Sequence, residues 1–141
     1  MAKTECYEKI ASSLGELHKK LKAVQIQMLK EYHVSLQEYH ILIIMHRLVT
    51  VSQSELAAAL DVDKALISRQ TQSMQEKGLL FCSPDSGCRR RNVLTLSDTA
   101  LALIPKLQEV HRLSLERIFS DLNEEQLFDL KFILEGLVSK L

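Results

Sequence analysis

The chain has 141 residues, enough for one domain or two small intertwined ones, and its 46% hydrophobic content supports a folded core. Its 18 basic and 18 acidic residues cancel, whereas nucleic-acid-binding domains are usually basic overall. No apolar run is long enough to span a bilayer, including residues 41–45, and the N-terminus lacks the apolar core of a signal peptide. We therefore expect a cytoplasmic protein without a membrane partner. Three cysteines without a CxxC pair argue against a disulfide framework and against a structural zinc site.

The N-terminal segment predicts a long amphipathic helix. Its apolar residues recur at alternating spacings of three and four, which makes a heptad seam over about 25 residues. They are Tyr7, Ile10, Leu14, Leu17, Leu21, Val24 and Met28. A seam of this length needs a partner helix, within the chain or on a second copy, and we expect both.

Three shorter helices are predicted in the centre of the chain, each from a capping residue. The caps are Ser35 with Glu38, Ser52 with Glu55, and Asp63. The first two helices end near residues 47 and 60, and the third runs to Lys77. Gly78 then stands where a positive φ commonly ends a helix.

A β-hairpin is predicted after these helices. Residues 79–83 and 92–96 form its strands, and residues 84–87, Pro-Asp-Ser-Gly, have turn chemistry. Residues 62–91 contain six basic and three acidic residues, so this segment carries +3 and the rest of the chain −3. A helix pair followed by a hairpin with a basic tip is typical of a winged helix-turn-helix, and the positive segment is suited to phosphate contact.

The helix that begins after Asp63 is predicted to be the recognition helix, which enters the major groove in this motif. One face carries the candidate DNA-binding residues Lys64, Ala65, Ser68, Arg69 and Gln72. Ile67, Thr71 and Met74 lie on the opposite face and should pack inward. The simpler alternative is an ordinary solvated face, with Arg69 paired to Glu76 or another acid.

Arg89, Arg90 and Arg91 are the candidate DNA-binding residues of the hairpin. Because side chains alternate along a strand, the three cannot all serve one purpose. We expect one or two to enter a minor groove, where narrow A·T tracts attract arginine.

Two further helices complete a mostly α fold of six helices and a two-stranded wing. Ser97 caps the fifth helix, in which Pro105 predicts a kink or a break. Asn123 with Gln126 caps the sixth. Its apolar residues, expected to face inward, are Leu127, Leu130, Ile133, Leu134 and Leu137.

The stretch from Ser52 to Ala100 resembles the winged-helix domain of MarR-family transcriptional regulators. The resemblance is carried, at unbroken spacing, by Ser52/Glu55-Leu56-Ala57, Ile67-Ser68-Arg69, Met74/Gly78-Leu79, Pro84-Asp85, Arg89-Arg90, Leu94 and Leu96-Ser97. It implies one MarR-like domain in which residues 1–34 and 98–141 form dimerisation helices and residues 35–97 the DNA-binding lobe. It also implies a homodimer on a palindromic double-stranded operator, with repression relieved by a small molecule or by oxidation.

The chain departs from the family pattern at the wing, where Cys88 replaces an aspartate that normally braces a wing arginine. The adjoining arginines favour the Cys88 thiolate, so Cys88 together with Cys82 is a redox hypothesis; the alternative is two incidental reduced thiols. Tyr32, His33, Tyr39 and His40 are candidates for an effector cleft. His33, His40 and His46 do not share one helical face, so we expect no metal site, and we expect no cofactor.

Enzymatic function is not expected, because the sequence has no phosphate-binding loop, nucleophile elbow or strong carboxylate–histidine arrangement. The alternative to a DNA-binding regulator is a winged-helix module that binds protein and binds DNA weakly or not at all. The neutral composition and the missing wing aspartate favour this alternative.

Overall fold

The computed structural model describes residues 2–85 and 88–141, with the backbone alone for residue 85 and residues 88–91. In chain order its elements are α1 (Lys3–Leu29), a 3₁₀ turn (Lys30–Tyr32), α2 (Leu36–Leu48), β1 (Val51–Ser52), α3 (Gln53–Leu60), α4 (Lys64–Glu76), β2 (Leu80–Asp85), β3 (Cys88–Leu96), α5 (Asp98–Phe119) and α6 (Glu124–Lys140). The mostly helical architecture is confirmed, with six α-helices in the described part of the chain.

The predicted two-stranded wing is confirmed as β2 and β3, and in the described residues a third antiparallel strand, β1, which was not predicted, joins the same sheet. The order is β1-β3-β2, and Val51 lies opposite Leu94 on β3. β1 has only two residues and directly precedes the cap of α3, so no alternating pattern marks it. Its pairing ties the start of α3 to the wing.

The predicted helix caps are confirmed. Ser35 and Glu38 form a reciprocal capping box, and so do Asn123 and Gln126. The side chains of Ser52, Asp63 and Ser97 each accept the backbone N–H three residues on, and these residues cap α3, α4 and α5. Gly78 has φ +75° after α4, as expected for a residue that ends a helix. Local hydrogen bonding therefore sets where these helices begin.

The hydrophobic core lies within residues 35–97, the winged lobe, and extends to α5 and to the end of α1. Ile104, Leu107 and Val110 of α5 are buried against it. Of the kink or break expected at Pro105, the break does not occur, because α5 is continuous from Asp98 to Phe119. Pro105 lies on the exposed side of α5, and so does Leu101, whose carbonyl loses its helical partner there. Water can satisfy that carbonyl, while the buried face holds the helix in place.

The two terminal helices leave much apolar surface uncovered in the single chain. The N-terminal half of the α1 seam is exposed, at 57% for Tyr7 and 45% for Leu14, and only Gln25 and Leu29 of α1 are buried. No residue of α6 is buried, so the prediction that its apolar residues face inward was wrong for the isolated chain. α6 lies away from the winged-lobe core, which leaves its apolar residues without a covering element.

A short joint connects α1 to the winged lobe. The 3₁₀ turn follows α1 directly, and His33 then adopts a left-handed conformation with φ 56°. The N–H of Val34 returns to the carbonyl of Leu29 at 3.4 Å, and Ser35 opens α2. The short segment between the two helices thus sets the direction of α2 relative to α1.

Candidate nucleic-acid interface

The predicted recognition helix, α4, is held in the lobe by its buried side. Ile67, Thr71 and Met74 are each fully buried, which confirms their predicted inward orientation. The Thr71 hydroxyl donates to the carbonyl of Ile67 at 2.8 Å and accepts from the Gln53 side-chain amide at 3.2 Å. Since Gln53 begins α3, this hydrogen bond joins the two helices of the helix-turn-helix.

The opposite side of α4 is free in the single chain. All five residues predicted to contact DNA on this helix are exposed, namely Lys64, Ala65, Ser68, Arg69 and Gln72. Their side chains together offer donors to phosphate and to the acceptor edges of guanine, and Gln72 can both donate to and accept from adenine. Apart from Ala65, the exposed face of the helix is therefore polar and can hydrogen-bond with a duplex.

The charge of this face is positive. In the described part of the chain Arg69 makes no ion pair, so the alternative pairing with Glu76 is not seen. The first turn of α4, which is described in full, contains no carboxylate. The capping carboxylate of Asp63 accepts the N–H of Leu66 at 2.7 Å and is followed directly by Lys64. The cationic side chain of Arg69 is thus free to meet an external acceptor.

The wing lies next to α4 in the chain and consists of β2 and β3. The backbone register pairs Asp85 with Cys88 and Cys82 with Leu94. The predicted roles of Arg89, Arg90 and Arg91 depend on side chains outside the described residues, as does the turn at Ser86 and Gly87. These roles stay predictions.

The redox hypothesis meets a geometric constraint. Cys82 is a free, partly exposed thiol. The side chain of Cys88 lies outside the described residues, but its backbone pairs three positions along β2 from Cys82. Three residues of strand span roughly 10 Å, more than a disulfide bridges. A bond between these two cysteines of one chain would require the hairpin to shift its register.

A cavity of about 360 Å³ opens between α1, α2 and α5. Two of the four residues predicted for an effector cleft, Tyr39 and His40, line it, and Tyr32 and His33 do not. Instead, Tyr32 packs against the core and His33 forms the left-handed turn before α2. The other lining residues are Gln25, Ile43, Ile44, Arg47, Leu60, Gln108 and His111.

The cavity combines an apolar floor with the cationic side chain of Arg47 and the imidazole of His40. Burial lowers the pKa of His40, and the nearby charges of Lys22 and His111 lower it further. Arg47 also lines the cavity, while Ile43 and Ile44 supply apolar surface. The site can therefore bind an anionic group attached to an apolar body.

Sequence reasoning missed the cavity residues beyond Tyr39 and His40. A signal was present on α2, because His40, Ile43, Ile44 and Arg47 follow the i, i+3, i+4, i+7 spacing of one helical face. No local pattern could add the residues that α1 and α5 contribute, since they meet α2 only in the folded chain.

A second contact missed from the sequence joins α2 to the end of α4. The Nζ atom of Lys77 lies 2.8 and 3.0 Å from the two carboxylate oxygens of Glu38, which is buried. Burial alone raises the pKa of Glu38, but the hydrogen bonds and charge of Lys77, with the hydrogen bonds of Ser35, lower it below its ordinary value of 4.5. Glu38 is therefore ionised at neutral pH, and the contact is an ion pair.

Other kinds of site find less support. Across the described residues, no group of three histidine, cysteine, aspartate or glutamate side chains is placed to hold a metal ion. Within the same residues, no helix combines the length and apolarity needed to cross a bilayer.

The central part of the chain matches a known family model. Residues 34–91 match the family model described as MarR family. No curated protein matches the sequence.

Solved structures extend the likeness to most of the chain. AbsC, a MarR family transcriptional regulator from Streptomyces coelicolor, superposes with a TM-score of 0.82 at 22% identity, over 99% of this chain and 95% of its own. A MarR transcriptional regulator from Methanosarcina mazei Go1 gives 0.82 at 20% identity, over 94% and 96% of the two chains. A mutant of MarR from E. coli in complex with operator DNA gives 0.82 at 14% identity, over 97% and 99%. Residues 34–91 therefore match the MarR family model, within a chain whose fold is that of MarR-family winged helix-turn-helix proteins.

Proposed function

We propose that this chain is a sequence-specific double-stranded DNA-binding transcriptional regulator that acts as a homodimer on a palindromic operator. The observation that carries the proposal is α4, whose exposed side is polar and cationic while its other side is fully buried. A structural neighbour crystallised with operator DNA supports the same use of the fold. In this proposal residues 35–97 bind DNA, while residues 1–34 and 98–141 form the dimer.

The proposed phosphate contacts predict a steep dependence of duplex binding on salt. Each phosphate neutralised should contribute about −0.9 to the slope of log affinity against log salt. Arg89→Ala or Arg90→Ala should weaken binding to all sequences about equally and make the slope shallower by about 0.9 for each phosphate that is no longer neutralised. Fluorescence anisotropy measures the affinity and the salt slope, from low to physiological salt, with a library of genomic DNA fragments and with a duplex of random sequence.

The same titration decides the alternative function. A winged helix that binds a protein through few charges would show weak duplex binding and little dependence on salt. Such a result, with unchanged binding in the two wing variants, would replace the DNA-binding proposal.

We propose further that the cavity between α1, α2 and α5 is the effector site. It lies where the proposed dimerisation helices meet the winged lobe, so an occupant touches both. The charge of Arg47 favours an anion, and the isoleucines favour an apolar ring. Relief of repression would follow if the bound anion stabilised a separation of the two lobes unsuited to the operator.

Benzoate and the neutral benzamide test the predicted charge preference. We expect benzoate to bind more tightly, and Arg47→Met to weaken benzoate by about 10-fold or more because a charged hydrogen bond is removed. Arg117→Met, which removes an exposed arginine outside the cavity, is the matched control. Isothermal titration calorimetry measures both ligands; equal affinity for the two, unaffected by Arg47→Met, would rule out this assignment.

A further inference from the structure

We propose that Glu38 and Lys77 are positioning residues, whose ion pair sets the orientation of α4 relative to the joint between α1 and α2. The inference rests on the proposed function in one respect, namely that α4 is the helix presented to DNA. The placement of α4 against α1 can be measured without DNA.

The geometry of the pair distinguishes it from the other ion pairs of the described chain. Those pairs join exposed residues three or four apart on one helix. Glu38 and Lys77 are 39 positions apart, and the Glu38 side chain is only 5% exposed. The Lys77 ammonium bonds to both carboxylate oxygens. Exposed pairs at helical spacing have little influence on tertiary geometry. A contact between two elements constrains their arrangement, and here a buried carboxylate meets a lysine whose side chain is 46% exposed.

The carboxylate is fixed to the α1–α2 joint. The backbone N–H of Ser35 donates to Oε1 of Glu38 at 3.0 Å, and the Ser35 hydroxyl accepts the N–H of Glu38 at 3.1 Å. Ser35 comes two residues after the left-handed His33, where the chain leaves the 3₁₀ turn. Rotation of this joint therefore carries the Glu38 carboxylate with it.

The backbone of Lys77, which carries the ammonium group, is fixed to the end of α4. The backbone N–H of Lys77 donates to the carbonyl of Ser73 at 3.1 Å, and Gly78 turns the chain into the wing. The residues proposed to read bases lie near the other end of α4, which has 13 residues. A helix of that length spans about 20 Å, so a pivot of a few degrees at Lys77 moves the reading end by about 1–2 Å. Hydrogen bonds to base edges do not tolerate such a shift.

Three variants separate the charge from the other roles of these residues. Lys77→Met keeps an unbranched side chain and removes the charge. Glu38→Gln keeps the oxygen that accepts the Ser35 N–H but removes the carboxylate charge. Lys77→Arg keeps a cationic donor and should restore the contact. Thermal unfolding identifies any variant that does not fold, in which case Lys77→Gln replaces Lys77→Met.

The first measurement is the distance between α1 and α4 in the absence of DNA. Pulsed electron paramagnetic resonance measures this distance between spin labels attached at Lys19→Cys and Gln72→Cys. The labelled chain also carries Cys6→Ser, Cys82→Ser and Cys88→Ser, so that no other cysteine is labelled. Dilution with unlabelled protein restricts the signal to labels on one chain. We expect a shifted or broadened distance distribution in Lys77→Met and Glu38→Gln, and the parental distribution in Lys77→Arg. Parental distributions in all three variants would overturn the proposal.

The second measurement is duplex affinity against salt, with Lys64→Met as the comparison. Lys64 is an exposed lysine on the proposed reading face, so its removal should make the salt slope shallower by about 0.9. Lys77→Met should lower affinity about 10-fold with an unchanged slope, because it displaces the helix without removing a phosphate contact. A shallower slope in Lys77→Met would make Lys77 a phosphate ligand and refute the positioning role. If the parent protein binds no duplex, the proposed function fails, and the distance measurement alone decides whether the pair positions α4.

Discussion

Arg69→Ala is expected to lower affinity for the preferred duplex by about 10- to 100-fold and to relax base preference at the position that Arg69 reads. A bidentate arginine–guanine contact contributes about 1–3 kcal/mol of discrimination against other bases. Arg69 is exposed in the first half of α4 and makes no ion pair in the described part of the chain, so its guanidinium is available for such a contact.

Binding of the selected operator and its single-base variants, measured at one salt concentration, gives both effects. Arg117→Ala is the control, since it removes an exposed arginine of α5 outside the winged lobe. A uniform decrease across all base variants would make Arg69 a phosphate contact. Unchanged operator affinity would mean that α4 is not the reading helix.

Phe132→Asp in α6 is expected to convert the proposed dimer into monomers. Phe132 is 69% exposed in the single chain and stacks on the equally uncovered Phe128, with ring centroids 6.3 Å apart. Burying a phenylalanine contributes about 1.5–3 kcal/mol, and a two-fold interface contains two copies. A charge at this position should therefore raise the dimer dissociation constant about 100-fold or more.

Analytical ultracentrifugation of Phe132→Asp over a range of concentrations measures the effect. Phe81→Asp is the matched control, because Phe81 is 61% exposed but lies on β2, outside the terminal helices. The monomer should also have much lower affinity for a palindromic duplex, since two linked lobes bind with an effective concentration that one lobe lacks. A parent protein that is monomeric at all concentrations, or a Phe132→Asp variant that remains dimeric, would contradict the proposed interface.

The local concentration of basic residues explains how zero net charge is compatible with DNA binding. The residues that would meet phosphate are concentrated in residues 62–91, where the charge is +3, and the compensating acids lie elsewhere in the chain. Binding depends on the local field at the interface, because salt screens the interaction with charges that lie more than about 10 Å away.

Much of the fold followed from short-range chemistry. The caps at Ser35, Asp63 and Asn123 satisfy backbone groups within three residues, so they could be recognised along the chain. The same is true of Gly78, whose positive φ ends the recognition helix. Two features of the fold, the strand β1 and the continuity of α5 through Pro105, could not be predicted from the sequence. β1 was too short to show a period, and the exposed position of Pro105 could not be known from its neighbours.

By itself, the sequence determined the winged helix-turn-helix, the buried and exposed sides of α4, and the helix boundaries, because each depends on periodicity or on hydrogen bonds between near neighbours. The tertiary structure alone decided the cavity lined by His40 and His111, the part-buried contact of Glu38 with Lys77, and the uncovered surface of α6. The cavity and the ion pair bring together residues that are far apart in the chain, whereas the apolar residues of α6 are left without a covering element. Which distant elements meet is set by packing of the whole core, and no local pattern of residues encodes it.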